Sequence, residues 1–333
     1  MSYRSTFFWL SEMRTFLLVA LCFAFVFAGQ EKTAGKRATW VPTSWGDTSA
    51  SSADSTFATF KSQGVNRVYI DVWNNGKTYF NSSTMFALIG NAGIGPNQLK
   101  WGADAASKHG IELFAWFEYG LMASYGGTTS NAFVKKANSL GWVSGQADGF
   151  TWMNPSNQQV INFIGGILVD AMRAEPRLKG VQLDDHFGAP SSIAGSSVSA
   201  MTNCAQKVRG IFRASSSALL SLAPNPLATS IKKYNADWKA WANQGLFSEY
   251  APQLYTTSSS TFQSELTSTL NDIPASVHPY MLAGIRCNGA GAATSWDSLS
   301  SQINFTTQKG IGVAVWYGQC INQLYRTQFA ALW

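Results

Sequence analysis

Two consecutive carboxylates and an imidazole, Asp184-Asp185-His186, close an apolar run, Gly180–Phe187 (GVQLDDHF). Other ionisable or amide groups end similar runs. Asp71 ends Asn66–Trp73, Glu118 ends Ile111–Gly120, Asn225 ends Ala218–Asn225, and Arg286 lies near the end of Met281–Asn288. Gln253 and Tyr255 close Phe247–Tyr255. Carboxylates on two sides of a glycosidic bond can break it. One protonates the leaving oxygen, and the other attacks the anomeric carbon or activates water. The residues therefore predict Asp184 as nucleophile or base, with Asp185 as its alternate, and Glu118 as the acid. Crowding of like charges raises the pKa of one member of such a set.

Strand alternation sharpens the placement. If Val181 and Leu183 face a helix layer, Gln182 and Asp184 share the opposite, inner face. Gln253 and Tyr255 have the same parity as Glu249, which begins its run and is expected at the far end of the barrel. The substrate-binding expectation falls on Asp71, Trp73, Trp116, Asn154, His186, Asn225, Gln253, Tyr255, Arg286 and Trp316. Trp45, Trp73, Trp116 and Trp316 are the candidate sugar platforms.

Other chemistries have weaker signals. The three histidines, His109, His186 and His278, have no H-x-x-x-H or H-E-x-x-H spacing. No G-x-S-x-G elbow occurs, and no G-x-G-x-x-G follows a strand-like run. Cys204 falls in a helix-like segment. A metal at Asp185-His186 is a minor alternative, and neither metal nor cofactor is expected. A non-catalytic glycan-binding barrel is the main alternative to a hydrolase.

Eight strand-length runs must position these groups. They are Arg37–Thr43, Asn66–Trp73, Ile111–Gly120, Gly180–Phe187, Ala218–Asn225, Phe247–Tyr255, Met281–Asn288 and Gly310–Gly318. Segments of helical length separate them, among them Gln158–Ala174 and Thr261–Leu270. Gly64, Gly110, Gly180, Gly245 and Gly310 stand just ahead of runs, where helix-to-strand turns need them. Strands alternating with helices predict a single α/β domain, a (β/α)8 barrel, over 37–333. In such a barrel the reacting groups sit at the C-terminal strand ends. Two stretches, Leu121–Ser156 and Gly188–Ser199, read as long loops over that end.

Composition agrees with a large enclosed core. Of 333 residues, 46 % are hydrophobic and 14 % aromatic, with 13 Trp, while only 13 % are charged. The net charge of +6 is scattered, which argues against nucleic acid as a partner and leaves carbohydrate. Arg14 precedes the apolar run Thr15–Ala28, with Val26 and Ala28 placed for cleavage before Gly29. Residues 1–28 are thus expected to be a secretory signal, too short in its apolar run for stable membrane insertion. Residues 29–36 are expected to be a flexible lead. Secretion makes a disulfide feasible. Cys287 and Cys320 follow the seventh and eighth runs, neighbours in a barrel, so a bridge between them is expected.

The segments GVQLDDHF (180–187), APQLY (251–255), FAWF (114–117) and WMNP (152–155) resemble glycosyl-hydrolase-like family 10. The resemblance extends from Arg37 to Trp333. It implies a (β/α)8 barrel that hydrolyses O-glycosidic bonds, with some bacterial relatives acting on cell-wall glycan strands. It also implies that Asp184 and Asp185 are the strand-four acidic pair and that Gln253 and Tyr255 are strand-six site residues. His186 departs from the Tyr that many members carry, and Glu118 lies in a segment that varies among them.

Overall fold

The computed structural model describes residues 30–43, 49–127, 129–289 and 291–333. The expected signal at 1–28, with Cys22, and the platform candidate Trp45 lie outside the described residues.

Eight parallel strands form the core sheet: β1 Arg37–Val41, β2 Arg67–Asp71, β3 Glu112–Phe117, β4 Gly180–Asp184, β5 Leu219–Ala223, β6 Glu249–Tyr250, β7 Leu282–Arg286 and β8 Gly312–Trp316. The order is β6-β5-β4-β3-β2-β1-β8-β7, and every pairing within it is parallel. Bridges Tyr250–Met281 and Gln253–Gly284 join β6 to β7, so the ring closes into the expected (β/α)8 barrel. The principal helices are α1 Ala50–Ser62, α2 Gln98–His109, α3 Gln158–Ala174, α4 Val198–Arg213, α5 Trp238–Asn243, α6 Ser259–Asp272, α7 Trp296–Gln308 and α8 Arg326–Leu332. Side-chain N-caps from Ser49, Asn97, Asn157, Ser197, Ser258 and Ser295 satisfy free amides at helix starts.

Gly64, Gly110, Gly245 and Gly310 turn with positive φ, but Gly180 does not. Gly180 is the first residue of β4, and a Cβ there would collide with the Leu219 carbonyl and lie 2.8 Å from the Phe114 ring. Close approach of backbone, rather than a turn, requires this glycine.

Beneath the mouth, the barrel encloses a polar chain. Trp40 Nε1 donates to Gln182 Oε1 at 2.7 Å, Gln182 Nε2 to Ser221 Oγ at 2.9 Å, and Ser221 Oγ to Glu249 Oε1 at 2.9 Å. Glu249 also accepts from Tyr69 Oη at 2.7 Å and pairs with the fully buried Arg67. Arg67 reaches Glu112 as well, at 2.7 Å. A buried guanidinium is tolerated only with such partners.

Residues 30–36, expected to be flexible, are instead pinned under the barrel. Glu31 pairs with Lys36 and Lys179, each at 2.7 Å, and Thr33 N donates to Pro279 O at 2.8 Å. The two lysines hold the Glu31 carboxyl down at about 2 against the opposing effect of desolvation. Charge pairing anchors a segment that composition alone marked as polar and loose.

The stretch after β3 is not an irregular loop. It folds into an antiparallel sheet of Met122–Tyr125, Phe150–Met153 and Val143–Ala147, with a helix, Ala132–Ser139, between the first and last of these in sequence. Asp148 (φ 55°) and Gly149 (φ 81°) make a two-residue hairpin turn, the combination that a type I′ turn favours. A smaller hairpin, Trp73–Asn74 with Lys77–Thr78, turns at Asn75-Gly76 beyond β2. The Gly188–Ser199 stretch remains irregular. Cys287 and Cys320 form the expected disulfide, with Cα atoms 6.3 Å apart, and Cys204 is buried and reduced. Among the described residues, no helix is long and apolar enough to cross a membrane.

Removing the Glu249 carboxylate would leave Arg67 buried with only Glu112, at 2.7 Å, and the more distant Glu31, at 3.9 Å, as ionic partners. Glu249→Ala is expected to lower stability by about 3–5 kcal/mol, read as a shift in the urea midpoint. A shift below about 1 kcal/mol would show that Glu112 and Glu31 suffice for Arg67.

Candidate active site

At the C-terminal ends of the strands, Trp40, Trp116, Glu118, Asp184, Asp185, His186, Gln253, Tyr255 and Trp316 line a cavity of about 170 Å³. Each comes from a strand end or the residues just after it, because alternation sends every second side chain inward. Indole and phenol rings form the walls. Trp316 stacks on Tyr255 with ring centroids 6.3 Å apart, meets Trp116 edge-on at 5.7 Å, and lies 6.2 Å from Trp40. The Trp316–Tyr317 peptide bond is cis.

Asp184 is 4 % exposed, and its Oδ1 accepts from Gln253 Nε2 at 2.5 Å. Gln253 also donates to Ala223 O at 3.0 Å, so its orientation is fixed from two sides. Burial, reinforced by the charges of Asp185 and Glu118, pushes the Asp184 carboxyl well above the usual carboxylate range. Trp116 Nε1 has no hydrogen-bond partner, yet it lies near enough to Asp184 to oppose that shift weakly. Asp185 accepts from Asn225 Nδ2 at 2.8 Å. His186 Nδ1 sits 3.1 Å from the Glu118 carbonyl oxygen and 3.2 Å from Asp185 Oδ1.

Glu118 is one of two carboxyls held by a single amide. Asn74 Nδ2 donates to Glu118 Oε2 at 2.5 Å and to Asp71 Oδ2 at 2.9 Å. Asp71 also accepts from Trp73 N at 3.2 Å and is fully buried. Desolvation first, and then Glu118, raise its pKa well above the ordinary value. Asp71 thus stands behind Glu118 rather than on the cavity wall.

Of the residues expected from the sequence to act or bind, Glu118, Asp184, Asp185, His186, Trp116, Gln253, Tyr255 and Trp316 converge on the cavity. Asn225 reaches it through Asp185. The remaining four are placed elsewhere. Trp73 is fully buried against Phe133 and Phe163, its indole donating to Gly120 O at 3.1 Å. Asn154 caps a turn by accepting from Ser156 N at 2.8 Å. Arg286, expected among the substrate-binding residues, donates to Ala292 O at 2.9 Å. Asp71 is enclosed behind Glu118. Two site residues escaped the sequence reading. Trp40 shares inward parity with Ala38 on β1, a signal that was present. Asn74 sits beside the Asn-Gly pair of its hairpin, and only tertiary placement brings it to the acids.

Asp184, Asp185 and His186 each offer a ligand atom, all within 4.8 Å of one another, and this is the set that could take a divalent cation.

The family model described as glycosyl hydrolase-like 10 matches residues 37–210, just over half of the chain. The chain belongs to the glycosyl hydrolase-like 10 family. The structure of this glycosyl hydrolase-like 10 protein is similar to several solved barrels at low identity, a likeness of fold. The glycoside hydrolase domain of PgaB (BpsB) from Bordetella bronchiseptica has a TM-score of 0.66 at 9 % identity, covering 88 % of this chain and 98 % of that one. A GH18 chitinase from Pseudoalteromonas aurantia gives 0.56 at 12 %, covering 90 % and 100 %. The GH36 α-galactosidase AgaA from Geobacillus stearothermophilus gives 0.60 at 11 %, covering 91 % of this chain and 42 % of its own. No curated protein sequence matches.

The raised carboxyls carry a pH signature. Asp71 folded keeps a proton that the unfolded chain releases near its ordinary value of 3.8, so its contribution to stability is full below that pH and falls as pH rises toward the folded pKa. Asp71→Asn removes this slope. Thermal melts are expected to show the variant gaining on the wild type from about pH 4 upward, by at most about 1.4 kcal/mol per pH unit. A variant-to-wild-type difference that does not change with pH would contradict the burial argument.

Proposed function

We propose that the protein is a secreted glycoside hydrolase that cleaves O-glycosidic bonds in a poly- or oligosaccharide, cell-wall glycan among the candidates. The observation that carries this reading is a buried carboxyl, Asp184, lining an aromatic-walled cavity together with Glu118 from the adjacent strand, in surroundings that raise its pKa well above the ordinary value.

A general acid must hold its proton at working pH, and burial beside Asp185 and Glu118 supports that role for Asp184. This reverses the roles expected from the sequence, because a buried carboxyl whose pKa is raised makes a better acid than nucleophile. Asp184 donates to the leaving glycosidic oxygen, and Glu118 acts as the nucleophile or the base on water. Asp185 follows Asp184 directly in the chain, so it is ill placed to act from the other side of the sugar. Its charge keeps the proton on Asp184. Gln253 fixes the Asp184 carboxyl, and Asn74 fixes that of Glu118. Trp316 and Tyr255, the partly exposed rings of the wall, offer faces and edges to the apolar C–H face of a sugar, backed by the buried Trp116 and Trp40. Family membership and the hydrolase folds it resembles support the reaction class. The Cys287–Cys320 disulfide and the apolar segment 15–28 support export to an oxidising compartment.

The protein incubated with a panel of wall and storage glycans is expected to release new reducing ends from at least one. On that glycan, Asp184→Asn and Glu118→Gln should each lower kcat by about 10²–10⁴ with circular dichroism unchanged. Full activity in Asp184→Asn would remove that residue from the mechanism. Glycan retention by wild type with no new ends would leave a binding barrel instead. Cleavage is also expected to survive a chelator. Its loss on chelation and return with a divalent cation would move the chemistry to Asp184, Asp185 and His186 as metal ligands.

A further inference from the structure

Tyr125 is a large aromatic side chain left 66 % exposed on an otherwise well-packed sheet. It ends the strand Met122–Tyr125, on the hairpin sheet that folds out from β3. Its ring packs edge-on to Phe150 at 5.3 Å and rests over the hairpin turn, 3.2 Å from where a Cβ on Gly149 would stand. Phe150, half-buried, lies 5.8 Å from the ring of His186, and His186 lines the cavity. A continuous series of rings thus runs from the cavity wall to an exposed aromatic on the surface.

This series is rigidly held. Leu121 N donates to His186 O at 2.9 Å, tying the base of the sheet to the residues after β4. Asp148, at the hairpin tip, meets Lys233 at 3.2 Å and Tyr234 Oη at 3.3 Å on the β5 side of the barrel. Tyr125 itself is placed by its main chain, whose N–H donates to Asn75 Oδ1 at 3.3 Å. The backbone that carries the ring is therefore placed before any ligand arrives, and the ring rests against Phe150, which lowers the ordering cost of binding.

We propose that Tyr125 and Phe150 form an outlying sugar subsite, so that the protein binds a glycan chain extending from the cavity past His186 onto the hairpin. The inference rests on the hydrolase reading of the cavity and specifies its substrate as a polymer rather than a short saccharide. The occupant is carbohydrate because the series is continuous with the cavity and consists of rings. The C–H face of a pyranose, slightly positive, fits the negative face of an aromatic ring. A single exposed tyrosine serves an extended, repeating ligand, which gains affinity from each added ring contact.

The test compares a polymer with a short oligosaccharide of the same linkage, both cleaved by the full-length wild-type protein. Tyr125→Ala should lower kcat/KM on the polymer relative to that on the oligosaccharide about three- to tenfold, through KM. Tyr125→Phe should restore the ratio, which a loss of folding would not allow. Phe86→Ala, at another exposed aromatic (57 %) on the helix Ser83–Ile89, should leave the ratio as in wild type. An unchanged ratio in Tyr125→Ala overturns the subsite. If no glycan is cleaved, the hydrolase reading fails separately, and depletion from solution by insoluble wall polysaccharide decides the subsite. Retention of wild type with release of Tyr125→Ala supports it, and equal retention, or none, overturns it.

Discussion

A carboxyl group enclosed at the end of β4 governs the account of this protein. Asp184 is nearly sealed from solvent, with two other acids nearby and no cation among its hydrogen-bond partners. Ionising it there would cost far more than in water, which raises its pKa well above the usual carboxylate range and favours the neutral form. The closed ring of strands imposes this. It directs Asp184 inward, sets Gln253 against it from β6, and surrounds both with indole rings. The arrangement strains stability at neutral pH and in return supplies a proton donor in a small, mostly apolar space.

The layers below and above serve that position differently. Below, the chain from Trp40 through Gln182, Ser221 and Glu249 to Arg67 fills the barrel with satisfied polar groups, which specify the register of facing strands more sharply than apolar packing would. Above, the irregular insertions are rigid structures. Asn74 arrives on one hairpin to clamp Glu118 against Asp71, and Phe150 arrives on another beside His186. Asp170 locks a third piece by accepting from Ser82, Ser83 and Thr84 at the start of the helix Ser83–Ile89. Acidic side chains thus serve as structural acceptors where hydroxyl, amide or cationic donors surround them, and those at the cavity are held by the amides of Gln253, Asn225 and Asn74, with no Lys or Arg among these bonds.

The barrel was legible in the sequence because its strands are buried on both faces and read as short apolar runs. Alternation on β4 separated Gln182 and Asp184 from Val181 and Leu183, and the neighbouring order of β7 and β8 led to the disulfide. The sixth run was read too long. Pro252 has no N–H to give, so the regular strand ends at Tyr250, while Ala251 N and Gln253 N still bond to Leu222 O and Pro224 O on the β5 side and Gln253 bridges to Gly284 on the β7 side. The hairpins were missed although Asn75-Gly76 and Asp148-Gly149 are strong two-residue turn signals. Their strands are only two to five residues long, below the length at which periodicity is readable. Asp71 and Trp73 were assigned to substrate because they end a barrel strand. Residues folding over the mouth buried them, and only tertiary structure reveals such a cover.

The state of one proton tests the central claim most directly. Infrared difference spectra between the wild-type protein and Asp184→Asn at neutral pH isolate the vibrations of that carboxyl. A protonated-carboxyl C=O band is expected in the wild type, shifting in deuterium oxide and missing from the variant. A difference spectrum containing only ionised carboxylate bands would contradict it, and Asp184 would then have no proton to give.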